Sequence, residues 1–164
     1  MISYATSEKK RTLRLNITSV SGYYNLFLQF NCPEEKKEAD RGAYKTLTLL
    51  MFHALRLKYK EKSLKQHGEE DFYKVTKTDN TDGFCLSIQR ESVDTEQVAL
   101  DIADCALEYV LTFAPDEHDY ANEETESLIK SNLDKARIIA DTFKKGIHDH
   151  HSFDFHKEYW SPFD

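Results

Sequence analysis

Apolar and polar residues alternate strictly over two stretches near the start of the chain. Over residues 11–20, Leu13, Leu15 and Ile17 share one face and Arg14, Asn16 and Thr18 the other. Over residues 23–32, Tyr24, Leu26, Leu28 and Phe30 alternate with Asn25, Phe27, Gln29 and Asn31. A period of two predicts strands with one buried face, and Ser21-Gly22 between them supplies a two-residue hairpin turn. A second predicted hairpin, residues 72–78 and 84–91, flanks the turn-rich segment Asp79-Asn80-Thr81-Asp82-Gly83.

The period changes to that of a helix in three places. After Pro33, residues 34 to about 60 place Ala43, Leu47, Leu50, Met51, Ala54 and Leu55 on one stripe, with Leu49, Phe52 and Tyr59 on the opposite side among Lys45, His53 and Arg56. Gly42 weakens the start of this helix. Beyond Leu57, Lys58, Lys62 and Lys65 fall where the stripe should continue, so the helix either overhangs the core or ends there, and Gly68 is a stop. Residues 94–113 form the most apolar helix, with Asp94 as cap, Gln97 completing a capping box and Pro115 beyond its end. Its polar residues reduce to one line, Gln97, Asp101, Asp104, Glu108 and Thr112. Burial on several sides is the expectation for such a helix, as the central support between the sheet and the other two helices. Leu107 and Val110 then become stability positions. The third helix, about residues 122–145, carries a narrow stripe of Ile129, Leu133, Ala136, Ala140, Phe143 and Ile147, which predicts a covering helix that stops at Gly146.

These periods give an α+β fold: two β-hairpin–helix units forming a four-stranded, mainly antiparallel sheet, helices mainly on one face, a third C-terminal helix and a tail rich in aromatics and histidine. The length suits a single domain over residues 1–164, with 147–164 as the tail. The two units share no residue-level similarity.

Charge changes the picture by its distribution. The net charge is −7, but residues 1–82 carry 15 basic against 11 acidic side chains and residues 83–164 carry 7 against 18. An acidic second half disfavours general nucleic-acid binding and suits a basic protein partner or self-association. Residues 1–11 have no apolar core of a secretory signal, and no apolar run reaches the roughly 18 residues of a membrane span. Cys32, Cys85 and Cys105 match no zinc or redox spacing, so reduced thiols in a cytoplasmic protein are expected.

Candidate chemistry is sparse. His148, His150, His151 and Asp154 have the donor types of a divalent transition-metal site, without a spacing that defines one. His118-Asp119 and His148-Asp149 resemble HD-type metal-dependent phosphohydrolases over two residues only; that family is all-helical and needs further ligands not found here. Asp101, Asp104 and Glu108 share a helix face, where a solvent edge or ion pairs with Arg56 and Lys60 are expected. Arg56, Lys58, Lys60, Lys62 and Lys65 complement a helix C-terminus. On the polar face of its strand Phe27 stands out among Asn25, Gln29 and Asn31, whereas single-strand binders use several exposed aromatics. P-loop, dinucleotide and G-x-S-x-G patterns are absent.

The expectation is therefore a non-enzymatic protein-binding module, an inhibitor, adaptor or regulatory protein, with no cofactor, acting on a protein partner or as a homodimer. Its binding residues are expected to be Leu49 and Phe52 on the first helix and Phe153, Phe155, Tyr159, Trp160 and Phe163 in the tail, because large aromatics dominate interfaces. A metal-dependent phosphoester hydrolase using His148, His150, His151 and Asp154 is the alternative, and a nucleic-acid binder a weaker one.

Overall fold

The computed structural model describes residues 2–8, 11–20, 23–31, 37–68, 74–80, 83–89, 96–149 and 156–157. Strands β1 (Ile2–Glu8), β2 (Arg11–Val20) and β3 (Tyr23–Asn31) precede helix α1 (Lys37–His67). Strands β4 (Lys74–Asn80) and β5 (Gly83–Gln89) follow, then α2 (Glu96–Thr112), α3 (Glu123–Asp149) and the two-residue β6 (His156–Lys157). The sheet order is β4-β5-β3-β2-β1-β6, and every described neighbour pair is antiparallel.

The predicted fold class, an α+β domain with a four-stranded sheet made of two hairpin–helix units, is corrected on these findings. The described chain is mostly helical, and its strands form a six-stranded sheet. Helix gains because α1 and α3 run to 31 and 27 residues. The sheet gains β1 and β6. The alternation in β1 is thin, with only Ile2 and Tyr4 apolar on one face, but its register aligns them with Ile17 and Leu15 of β2. The two supposed units are also inequivalent. α1 packs against α2, α3, β4 and β5, whereas α2 packs mainly on the two other helices.

α1 is accordingly the central element, a role predicted for α2. Ala43, Tyr44, Thr46, Leu47, Thr48, Leu50 and Met51 are all buried, which no one-sided helix would show. The two buried threonine hydroxyls are satisfied: Thr48 donates to the Tyr44 carbonyl at 2.9 Å and Thr46 to Leu128 O of α3 at 3.3 Å. The buried stripe then continues through Leu55, Tyr59 and Ser63. Lys58 and Lys62 flank it with their ammonium groups 5.8 and 5.5 Å from the Tyr59 ring, so the lysines do not end the helix. Gly68 does, with φ of 68° and its N–H on Leu64 O at 3.2 Å.

α2 buries Ile102, Ala103, Ala106, Leu107 and Val110 but exposes Val98, Asp101, Cys105 and Glu108. Its predicted Asp94 cap lies outside the described residues. α3 begins at Asn122, whose side chain accepts Thr125 N–H at 2.8 Å, and it runs past Gly146. Rather than covering the outside, α3 lies against α1, α2 and β1, with Phe143 meeting Phe30 of β3 at 5.8 Å between ring centroids. Leu26, Leu28 and Phe30 of β3 and Leu86 and Ile88 of β5 are fully buried and register-matched, so this sheet face carries the helices.

Gly42 marks a close approach of α1 and α3. A Cβ there would lie 2.6 Å from Asn132 Oδ1 and 2.9 Å from its Cγ and Nδ2. The Asn132 amide is itself held by donating to Leu128 O at 2.8 Å. Two outcomes follow in chemical denaturation. Leu107→Ala should cost about 2–5 kcal/mol. Gly42→Ala should lose about 1–3 kcal/mol by overpacking despite the gain of about 1 kcal/mol in helix propensity, and should turn neutral or stabilising in an Asn132→Ala background. A stabilising Gly42→Ala in the unaltered chain would contradict the close approach.

Candidate functional site

The densest arrangement of polar aromatic groups lies where α1, α2 and the connection between α2 and α3 meet. His118 of the connection stands edge-to-face with three rings: His53 of α1 at 4.8 Å, Phe113 at 5.1 Å and Tyr120 at 4.8 Å. Tyr109 of α2 closes the group at 5.9 Å from both His53 and Phe113. The sequence places these residues by separate local rules. Pro115 terminates α2, Glu117 N–H turns back to Ala114 O at 3.3 Å, and Tyr120 Oη donates to Pro115 O at 2.7 Å, folding the connection onto itself.

Burial holds the pKa of His53 below its usual value, helped by the neighbouring His118 and Arg56. Burial likewise raises the phenols of Tyr109 and Tyr120. A neutral imidazole among neutral phenols can accept or donate hydrogen bonds. Among the described residues no group of three or more His, Cys, Asp or Glu side chains is placed to hold a metal.

The acidic line of α2 finds a partner, though on α3. Lys144 donates to Asp104 Oδ1 at 2.9 Å and lies 3.4 Å from Glu108 Oε2. The hydrogen bond to Asp104 raises the Lys144 pKa. These carboxylates thus serve packing between helices. One heptad earlier, Arg137 closes the end of α2. Its Nη2 donates to Phe113 O and its Nε to Val110 O at 3.4 Å. Since α2 has no basic residue in its own last turn, α3 supplies the cation that its terminal carbonyls favour. Two residues before Arg137, on nearly the opposite face of α3, Lys135 reaches the buried Asp40 of α1 at 3.0 Å.

The remaining predicted positions are scattered. Leu49 and Phe52 are half-buried, Phe52 packing against the core with the Arg56 guanidinium 5.5 Å above its ring. Arg56, Lys58, Lys60 and Lys65 are exposed along the distal half of α1, Lys65 pairing with Glu61 at 2.6 Å. Register sets Phe27 between Asn16 of β2 and Ser87 of β5. His148 belongs to the last turn of α3, while His150, His151, Asp154, Phe153, Phe155, Tyr159, Trp160 and Phe163 lie outside the described residues. Cys105 is free and exposed. No described helix is long and apolar enough to cross a membrane.

Comparison with known proteins finds no matching family, no curated relative and no matching solved structure.

The sequence reading missed the His53–His118 contact because the two residues are 65 positions apart and no spacing rule joins them. The available signal was the concentration of His118, Tyr120 and Phe113 around Pro115 in an otherwise acidic connection. Arg137 was missed because it caps another helix. Arg137→Met should lower stability by about 1–3 kcal/mol and accelerate amide exchange in the last turn of α2. Arg137→Lys should restore only part, because one ammonium cannot reproduce the guanidinium fork. Unchanged exchange in Arg137→Met would remove the capping role.

Proposed function

We propose that the protein is a non-enzymatic binding module of inhibitor, adaptor or regulatory type, and that it docks through the exposed face of α1 beyond His53. The observation that carries this reading is the exposure of Leu57 and Leu64, at 52% and 49%, one heptad apart on a helix whose other described large apolar side chains are buried or half-buried. At about 100° per residue, His53, Leu57 and Leu64 fall within roughly 40° of one another. The chain's own acidic connection covers this face at His53 and stops there, leaving Leu57 and Leu64 flanked by exposed Arg56, Lys58, Lys60 and Lys65.

Charge complementarity points to an acidic segment with apolar or aromatic anchors as the occupant. The tail of a second copy is such a segment, with Phe153, Phe155, Tyr159, Trp160 and Phe163 beside Asp154, Glu158 and Asp164. Such exchange requires His156–Lys157 to leave the edge of its own sheet beside β1, and, when reciprocal, gives a closed homodimer. Trp160 is the sole tryptophan and reports on this directly. Sedimentation velocity should show a concentration-dependent dimer that weakens with salt, with Trp160 emission shifting to the blue as it forms. Leu57→Asp with Leu64→Asp should abolish both signals while leaving the helical circular dichroism intact. A monomer at every concentration, with emission unaffected by the double variant, would sink the homodimer.

A further inference from the structure

The connection between α2 and α3, residues 113–122, reaches α1 through a pair of histidines. His118 is gripped within the connection by Phe113 and Tyr120, and the Tyr120 hydroxyl ties back to Pro115 O. On its remaining side it meets His53 at 4.8 Å, with the rings at 87°. Two neutral imidazoles favour this edge-to-face contact. Two imidazolium ions in the same half-buried place repel each other, and His53 has the Arg56 guanidinium as a further positive neighbour on its own helix.

We propose that His53 and His118 form an acid-sensitive latch that holds the α2–α3 connection against α1. The groups facing the pair set the sign. α1 contributes Arg56, α2 contributes the Tyr109 phenol, and the connection contributes Tyr120 with the exposed acids Asp116, Glu117 and Asp119 beside His118. From α3, Lys130 lies 5.9 Å from the Tyr120 ring and pairs with Glu126 at 3.0 Å and Asp116 at 3.6 Å. Burial, His118 and Arg56 all push the His53 pKa down. A released connection returns His53 toward the usual value of about 6.5, so the open form takes up protons more readily than the closed one. The latch is therefore fully closed above about pH 6.5 and weakens as pH falls from there toward the lowered His53 value. Release uncovers His53, Phe113 and Tyr109, extending the face of α1 that ends in Leu57 and Leu64. The latch itself does not depend on the docking reading.

Amide hydrogen exchange on the full chain tests this, with rates corrected for the intrinsic pH dependence of exchange. Protection of the Glu117 amide, bonded to Ala114 O at 3.3 Å, should fall at least about tenfold between about pH 7.5 and pH 5.5, while the middle of α1 stays protected. His118→Phe keeps the edge-to-face ring without a titrating group and should hold the connection closed at both pH values. His53→Gln gives the same comparison from α1, so a packing defect in one variant leaves the other to decide. Equal protection of the wild-type connection at both pH values, or the same acid-dependent loss in both variants, would overturn the latch.

Discussion

A long helix buried on nearly every side is the constraint to which the other elements conform. The middle of α1 hides Ala43, Tyr44, Thr46, Leu47, Thr48, Leu50 and Met51 in succession, so apolar surface must reach it from several directions at once. β4, β5, α2 and α3 do so. Between Ala43 and Met51 the one charged side chain is Lys45, which is only half-buried, and the buried threonines sit where a carbonyl is within reach. Thr46 and Thr48 satisfy that condition through Leu128 O and Tyr44 O. Close approach by α3 also requires a residue without a side chain at Gly42, where the Asn132 amide occupies the space. Helix propensity is given up there for interhelical contact.

The second dependence is electrostatic, and α3 carries it. Lys135 reaches the N-terminal turn of α1 at Asp40, Arg137 reaches the terminal carbonyls of α2, and Lys144 reaches Asp104 and Glu108 in its middle. Arg137 and Lys144 are seven residues apart and share a face; Lys135 lies on nearly the opposite one. That arrangement fits a helix wedged between two others. It also reinterprets the charge distribution along the chain. The second half carries 7 basic side chains against 18 acidic ones, and three of those seven are committed to holding helices together. What the acidic excess leaves exposed is concentrated in Asp116, Glu117, Asp119, Glu123 and Glu124, around the N-terminus of α3 where negative charge suits the helix dipole.

Legibility in the sequence followed how local each cause is. Period-two alternation located β2 and β3, and the 3.6-residue stripes located all three helices, because both patterns come from neighbouring residues sharing one face. β1 was not legible since two apolar residues alternate too weakly, and its position depends on register with β2. The roles of α1 and α2 were exchanged for a related reason. α2 has the higher apolar content, yet it exposes Val98 and Cys105, while α1 hides Thr46 and Thr48 by satisfying them. Apolar content alone reports surface that wants burial; it does not report polar groups that have found partners. The acidic line of α2 was visible as a line, but Lys144 as its partner was a tertiary fact. So was the meeting of His53 with His118.

Those two histidines connect the interior with the exposed end of α1. Along the face of His53, Leu57 and Leu64, the acidic α2–α3 connection covers the first position and none of the described chain covers the other two to the same degree. Arg56 and the lysines that follow surround both the covered and the uncovered part. An acidic segment bearing aromatic rings has therefore already proved a stable occupant of this surface, in the form of the chain's own Phe113, His118 and Tyr120 amid Asp116, Glu117 and Asp119. On the proposed docking reading, a segment recognised along the next part of α1 would meet the same chemistry repeated one to three turns further on. If the proposed latch opens on protonation, the available face lengthens from its His53 end, and binding at Leu57 and opening at His53 would be linked through one continuous helix surface.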